Sequence, residues 1–287
     1  MRKLIALSAA LIGAFLVLVA PAGAVKFGQP DGNGHPYVGL VEFYESGKPL
    51  GRCSGALVSA TKFLTAGHCT GFDAASGATP DEAQVWFDAG PVPLGTDSEG
   101  NPYSGHGPDP CAGITGFPCT GGVSGTPVTD PGWVGFLTVP ETHDVGVVLL
   151  DSPVSLPKYA EVAPVGYLDS LVSKRGQQNV QFTVVGYGLQ SLKPVLSQER
   201  TRMVGTVSLV SLNSTYTDGW NVRVSNNPGQ GQGGSGGTCF GDSGGPLLQG
   251  DTVVGVESFG LNRNCDGSAY FYRVDTQSAH DFVTNTN

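Results

Sequence analysis

The chain of 287 residues carries 44 glycines and 20 prolines, but only 14% of its residues are charged. This composition argues against coiled coils and long exposed helices, and the hydrophobic fraction of 39% argues against disorder. The net charge of −9, with no run of basic residues, disfavours a nucleic-acid partner, because binding phosphates requires positive charge.

The first 24 residues have the pattern of a signal peptide. Arg2 and Lys3 form a short basic start, residues 4–20 are apolar, and Ala22-Gly23-Ala24 supplies the small residues that a signal peptidase reads. We therefore expect cleavage after Ala24, a secreted, extracellular protein, and no membrane attachment afterwards. An uncleaved membrane anchor is the alternative, since the apolar stretch is slightly long for a signal peptide.

The rest of the chain consists of short apolar runs separated by Gly- and Pro-rich turns. Val, Thr, Phe and Tyr dominate these runs, and several alternate with period two, as half-buried strands do. The segments predicted as strands are 37–44, 55–59, 62–66, 84–88, 133–139, 144–150, 180–186, 202–212, 220–225, 252–259 and 269–274. A short helix is predicted at 276–284, so the pattern is all-β with a C-terminal helix.

Two segments depart from this pattern. Residues 88–130 form a long insertion rich in Gly, Pro, Ser and Thr, and residues 226–237 form a glycine-rich loop. The two prolines within residues 152–160 mark the expected boundary between an N-terminal unit, 25–155, and a C-terminal unit, 156–287.

All six cysteines follow the signal peptide. An even number in an exported chain predicts disulfides, and the spacing alone leaves 15 possible pairings. A zinc site is the alternative, but the chain has neither a C-x-x-C pair nor clustered histidines. The cysteines are Cys53, Cys69, Cys111, Cys119, Cys239 and Cys265.

Three short strings carry residues for nucleophilic chemistry. They contain His68 in Leu-Thr-Ala-Gly-His-Cys, Asp144 in His-Asp-Val-Gly-Val-Val-Leu-Leu, and Ser243 in Cys-Phe-Gly-Asp-Ser-Gly-Gly-Pro. A serine hydroxyl is a weak nucleophile, so it needs a base to take its proton and a carboxylate to orient that base. Asp151 is an alternative to Asp144, but it ends its predicted strand instead of preceding it.

The segment 241–245 also fits the G-x-S-x-G nucleophile elbow of α/β-hydrolases. That fold requires a helix after the serine and the chain order Ser, acid, His. Here the order is His, Asp, Ser, and Gly244-Gly245-Pro246 is a poor helix start.

The three strings resemble those of the chymotrypsin/trypsin-like serine proteases. The resemblance extends from about residue 25 to the C-terminus, apart from the insertion. It implies two antiparallel six-stranded β-barrels, with His68 and Asp144 in the first, Ser243 in the second and the active site between them. The implied roles are His68 as general base, Asp144 as the residue that orients it, Ser243 as nucleophile, and the backbone N–H groups of Gly241 and Ser243 as oxyanion hole.

The resemblance also implies further residues of the site. Ser258 would lie against Asp144, and Ser258, Phe259 and Gly260 match the strand that binds the substrate backbone. No cofactor and no metal are implied.

The same resemblance implies the disulfides. Cys53–Cys69 would hold the loop of His68, Cys239–Cys265 would brace the specificity pocket, and Cys111–Cys119 would be the remaining pair within the insertion. No cysteine lies between Cys119 and Cys239, where many animal members carry one, and this favours a bacterial-type member.

The residue six before the nucleophile lies at the base of the primary specificity pocket in this family. Here it is Gly237, so the carboxylate that selects Arg and Lys is absent. With Gly260 at the pocket mouth, this predicts an apolar or aromatic residue just before the cut. Glu257 offers an alternative, because strand alternation turns it toward the pocket wall, where it could pair with a substrate Arg or Lys or with Arg263.

Family members are usually activated by an ion pair between a new N-terminus and the aspartate before the nucleophile. Signal cleavage would expose Val25, so the expected pair is Val25 with Asp242. The sequence thus predicts a secreted, monomeric serine endopeptidase that acts on proteins or peptides. The rival from another class is a binding protein on a silent protease scaffold, but such proteins usually lack a triad residue.

Overall fold

A computed structural model describes residues 25–71, 77–92, 121–172, 179–191, 200–227 and 236–287. The predicted signal peptide and the predicted pair Cys111–Cys119 lie outside these residues. The described chain begins with the two-residue strand β1 (Gln29–Pro30).

The first barrel is a closed ring of six antiparallel strands. They are β2 (Val38–Glu45), β3 (Lys48–Leu57), β4 (Lys62–Thr65), β5 (Glu82–Trp86), β6 (Val123–Thr129) and β7 (Gly146–Leu150). Their order around the ring is β2-β3-β4-β7-β6-β5, with β5 closing back onto β2. Strand β2, which pairs with β3 and β5, is buried along almost its whole length.

The second barrel is also closed by six antiparallel strands. They are β9 (Gln181–Gly186), β10 (Met203–Ser211), β11 (Asn221–Ser225), β12 (Pro246–Gln249), β13 (Thr252–Gly260) and β14 (Ser268–Arg273). The ring runs β9-β10-β11-β14-β13-β12 and returns to β9. β1 pairs with the edge of β10, and β8 (Glu161–Val162) lies parallel to β13.

Alternating side chains place the core of the second barrel. In β9, Phe182 and Val184 are buried, and Val207 and Leu209 of β10 point into the same hydrophobic cluster. This is the period-two pattern of a strand with one face toward the core.

The buried Arg202 joins the two barrels. Its guanidinium donates to the carbonyl oxygens of Val38 and Phe87, both at 3.1 Å, and to the carboxylate of Asp31 at 2.9 Å. A buried guanidinium is tolerated only when its donors are satisfied in this way.

The helices are short: α1 (Gly67–Thr70), α2 (Asp169–Val172) and α3 (Gln277–Asn285). The Thr276 side chain caps α3 by accepting from the N–H of Ala279. Although α3 follows the second barrel in the chain, Lys62 of β4 donates to the carbonyl oxygens of Val283 at 2.9 Å and Thr284 at 3.2 Å. The helix is therefore tied to the first barrel.

The predicted fold of two six-stranded antiparallel barrels with a short C-terminal helix is confirmed, with local corrections. The strand predicted at 133–139 is wrong, because this segment is a loop with a 3₁₀ helix at Phe136–Thr138. Its Leu137 side chain is 98% exposed, whereas the Phe136 ring packs against His68 at the cleft. The predicted loop 88–130 ends in β6, and β12 was not predicted at all.

Candidate active site

His68 lies in α1, directly after β4, where the disulfide Cys53–Cys69 ties the helix to β3. Its ring Nδ1 lies 2.9 Å from Oδ2 of Asp144, and its backbone N–H donates to Oδ1 of the same carboxylate at 2.7 Å. Two contacts to one carboxylate fix both the position of the residue and the orientation of its ring.

Asp144 lies just before β7 and has no exposed surface. The hydroxyl of Ser258 donates a short hydrogen bond to its Oδ2. The carboxylate thus receives hydrogen bonds from His68 and Ser258, which compensates the cost of burying a charge. The structure brings His68, Asp144 and Ser258 together as predicted from the sequence.

Ser243 lies in the segment 239–245, which we call the nucleophile loop, between the disulfide Cys239–Cys265 and β12. Its side chain and the His68 ring line the same cavity of about 460 Å³. At Gly244, φ is +74°, and a Cβ would lie 2.7 Å from the backbone nitrogen of Ala66. Only glycine allows the loop to approach the first barrel so closely.

Two backbone N–H groups of the nucleophile loop are available to a ligand. Within the described part of the chain, no acceptor takes a hydrogen bond from the N–H of Gly241 or Ser243. Gly241 has φ +93°, which a side chain would strain. Free donors next to a serine hydroxyl are the arrangement that stabilises an oxyanion.

The cavity beside Ser243 is bordered by Ser258, Phe259 and Gly260, all predicted as substrate-binding residues. Glu257 also lines it. Burial raises the pKa of Glu257 well above its usual range, and the nearby carboxylates Asp242 and Asp144 act in the same direction.

The floor of this cavity differs from the sequence prediction. Gly237 does not line the cavity, whereas Asn226 and Thr238 do. The Asn226 side chain packs against Gly237, donates to the Thr238 carbonyl oxygen at 2.7 Å and accepts from the Thr238 N–H at 2.6 Å. Sequence reasoning missed Asn226, because it begins the glycine-rich segment read as a loop.

A second cavity of about 300 Å³ adjoins His68 from another direction. Phe43, Leu50, Arg52, Cys69 and Pro80 are among the residues that line it. His68 therefore lines two cavities.

Aromatic side chains border the cleft next to His68. The ring centroid of His68 lies 6.2 Å from that of Trp133 and 5.6 Å from that of Phe136. Phe136 lies 5.9 Å from Phe259, which stacks on Tyr270 at 4.6 Å. These rings form a continuous apolar wall along one edge of the cleft.

Asp242 is buried, and its carboxylate accepts from the N–H groups of Gly188 at 2.8 Å and Cys239 at 2.9 Å. Burial nevertheless raises its pKa to about 7, against the opposing effect of these bonds and of the Arg52 charge. The predicted partner, Val25, is also fully buried, and the next residue, Lys26, forms a β-bridge with Gly237.

Among the described residues, one group of potential metal ligands occurs, formed by Cys53, His68 and Cys69. Its two sulfurs are joined in a disulfide, so they are not available as thiolate ligands. The predicted pairs Cys53–Cys69 and Cys239–Cys265 are confirmed.

A Ser, His and Asp set placed between two antiparallel β-barrels defines the class of chymotrypsin-like proteins. Comparison with known proteins gives the family. The family model "Trypsin" matches residues 134–283, slightly more than half of the chain. The chain belongs to the trypsin family of serine proteases.

Individual proteins similar to this chain have low sequence identity with it. Brachyurin from Leptuca pugilator is 31% identical over 130 residues, which cover 44% of this chain and 52% of that protein. The chain thus spans about half the length of the curated relative that it matches.

Solved structures resemble the whole fold. HL collagenase aligns with a TM-score of 0.60 over 92% of this chain and 100% of its own, at 14% identity. Human heparin binding protein aligns with a TM-score of 0.55 over 89% of this chain and 92% of its own, at 18% identity. At such identities the likeness shows the fold alone.

Proposed function

We propose that this protein is a serine endopeptidase that cleaves proteins or peptides through an acyl-enzyme intermediate. The observation that carries the proposal is the position of His68: its Nδ1 is held by the buried Asp144, and its ring borders the cavity that contains Ser243. A base held in this way can accept the serine proton, which is what a weak hydroxyl nucleophile requires.

The proposed mechanism assigns one task to each residue. Ser243 attacks the peptide carbonyl while His68 takes its proton, and the N–H groups of Gly241 and Ser243 bind the negative oxygen that forms. His68 then returns the proton to the leaving amine. Water hydrolyses the acyl-enzyme with His68 acting again as base, and Asp144 stabilises the imidazolium in both steps.

The two cavities that share His68 support cleavage within a chain. An exopeptidase closes its site against a chain terminus, whereas His68 here borders two separate cavities that could take different parts of an extended substrate. This arrangement favours an endopeptidase.

We further propose an apolar or aromatic residue just before the cut. The cavity beside Ser243 is lined by Phe259 and Leu261, and burial together with the nearby carboxylates raises the pKa of Glu257, which disfavours its charged form. A specific observation favours the alternative of a basic residue: Oε2 of Glu257 is buried with no hydrogen-bond partner in the described residues, so a substrate Lys or Arg would supply one.

Activation by signal removal is the next part of the proposal. A free ammonium group at Val25 would place a positive charge in the second barrel, where the described residues give the buried Asp242 carboxylate two backbone donors and the Arg52 charge. The bridge between Lys26 and Gly237 supports it, since it docks this segment two residues from Cys239.

We propose secretion as a monomer, with residues 1–24 removed as signal peptide and the domain boundary near 155. None of the described residues forms a helix long and apolar enough to cross a membrane.

A fluorophosphonate probe tests the function directly. We expect the wild-type protein to be labelled at Ser243, and Ser243→Ala to lose both labelling and peptidase activity, by many orders of magnitude in kcat, while keeping its fold. A folded wild-type protein that neither takes the label nor cleaves peptides would instead be a silent binding protein.

A further inference from the structure

Ser54 is a buried residue of β3 whose hydroxyl reaches from the first barrel to the nucleophile loop. The hydroxyl donates to the carbonyl oxygen of Gly241 at 2.9 Å and accepts from the N–H of Tyr187 at 3.0 Å. The backbone N–H of Ser54 donates to the carbonyl oxygen of Ser243 at 2.8 Å. One side chain and its own backbone thus hold the carbonyl groups on both sides of Asp242.

These contacts determine the backbone around Gly241. The peptide before Gly241 is held by the N–H of Leu189, which donates to the Phe240 carbonyl oxygen at 2.8 Å. The peptide after Gly241 is held by two hydrogen bonds: the Ser54 hydroxyl donates to the Gly241 carbonyl oxygen, and the Asp242 N–H donates to the Cys239 carbonyl oxygen at 3.0 Å. The Gly241 N–H belongs to the peptide before Gly241, and the Leu189 bond alone leaves that peptide able to turn about the bond axis. Because only rotation about the Gly241 Cα separates the two peptides, the Ser54 hydroxyl limits the direction of the Gly241 N–H through that Cα.

Ser54 is itself firmly held. It has no exposed surface, it follows Cys53 of the Cys53–Cys69 disulfide, and its carbonyl oxygen accepts from the Thr65 hydroxyl at 2.8 Å. A rigid anchor is what a preorganised binding site requires.

We propose that Ser54 is a positioning residue of the oxyanion hole, whose hydroxyl fixes the Gly241–Asp242 peptide so that the Gly241 N–H points at the substrate oxygen. This inference rests on the proposed peptidase function. The negative charge on that oxygen develops only after Ser243 attacks, so loss of the anchor should affect the transition state more than substrate binding.

The test uses Ser54→Ala and Ser54→Gly, with kcat expressed per active site titrated by the fluorophosphonate probe. We expect kcat to fall about 10- to 100-fold while KM changes less than about twofold, because a donor is misplaced and not removed. The affinity for a peptide aldehyde, which forms an oxyanion on Ser243, should fall by a similar factor, whereas the affinity for the product peptide should not change.

Two further variants complete the design. Ser54→Thr keeps the hydroxyl and should recover most of the lost kcat. Tyr159→Phe removes one hydrogen bond, from the Tyr159 hydroxyl to the Val154 carbonyl oxygen at 2.8 Å, away from the active site, and should keep the wild-type kcat.

The inference is overturned if the Ala and Gly variants keep the wild-type kcat per titrated site. It is also overturned if the affinities for the aldehyde and the product peptide fall together, since that would indicate general loosening of the site. Failure of the proposed function looks different, because the wild-type protein itself would then take no label and show no turnover.

Discussion

Asp242 and Gly188 are in direct contact across the nucleophile loop. The N–H of Gly188 donates to Oδ1 of Asp242 at 2.8 Å, and a Cβ on Gly188 would lie 2.5 Å from Oδ2. The carboxylate therefore occupies the space that any side chain at position 188 would need. This contact fixes the position of Asp242, the residue before Ser243. A change in packing at Gly188 would therefore move the proposed nucleophile.

The variant Gly188→Ala should displace Asp242 and misplace the nucleophile loop. We expect kcat per protein to fall at least about tenfold and stability to fall by about 1–3 kcal/mol, because a methyl group is forced into a filled site. Peptidase assays with active-site titration, together with denaturant unfolding, measure both effects.

Gly90→Ala is the matched control, since no atom of the described residues lies within 4 Å of a Cβ at that position. It should behave like the wild-type protein. Equal activity of the two variants would contradict the role given to the Gly188 contact.

A peptide library scanned at the residue before the cut tests the specificity proposal. We expect cleavage after apolar and aromatic residues, and we expect Glu257→Gln to keep this preference, because burial raises the pKa of the Glu257 carboxyl and so disfavours its charged form. A strong preference for Arg or Lys that disappears in Glu257→Gln would reverse the assignment and make Glu257 the specificity residue.

N-terminal sequencing of the active, exported enzyme tests the activation proposal. The first four residues should be Val-Lys-Phe-Gly, starting at Val25, because signal removal would then create the ammonium partner of Asp242. A protein carrying one extra alanine before Val25 should have much lower activity, since its ammonium group is displaced. A different first residue in the active enzyme refutes the proposal.

Site residues that lie in short, recognisable sequence strings could be predicted, whereas residues that act through contacts distant in the chain could not. His68, Asp144 and Ser243 lie in short strings that resemble those of the chymotrypsin/trypsin-like proteases, and Ser258 follows from the same resemblance, so their roles could be predicted before the fold was known. Ser54 could not, because its role comes from a contact 187 positions away in the chain, and a single serine in a strand carries no pattern.

Some strands of the fold could likewise be predicted from the sequence and others could not. Strands with alternating Val, Thr and Phe, such as β9, were predicted to within a residue. β12 was missed because it is only four residues long and begins with Pro246, and β6 because Gly125 and Pro127 make it look like loop. The loop around Phe136 was read as a strand because it is rich in apolar residues, although Phe136 lines the cleft and Leu137 is exposed to solvent.

Glu42 of β2 makes stability depend on pH. Burial raises its pKa to about 9, although the Tyr44 side chain and the Arg52 charge oppose the shift. Because the folded-state pKa lies above the ordinary value, the folded protein keeps a proton that the unfolded chain releases. This group's contribution to stability is therefore full below about pH 4.5 and is lost as pH rises toward about 9.

Urea unfolding of the wild type and Glu42→Gln at pH 5, 7 and 9 measures this effect. The free energy of unfolding of Glu42→Gln should fall less over that range than that of the wild type. Glu161→Gln, which changes an exposed glutamate of β8, should keep the wild-type slope. Parallel curves for the wild type and Glu42→Gln would show that Glu42 does not titrate as described.

Helix α3 links the two barrels mechanically. It follows the last strand of the second barrel, and its carbonyl oxygens accept hydrogen bonds from Lys62 of the first. Ala279 and Val283 of the helix are buried in the hydrophobic cluster that contains strand residues of both barrels. Releasing the helix would remove one of the links between the barrels, beside those made by Arg202 and Ser54. His68 belongs to the first barrel and Ser243 to the second. The C-terminal helix therefore helps to hold these two residues at a constant distance from each other.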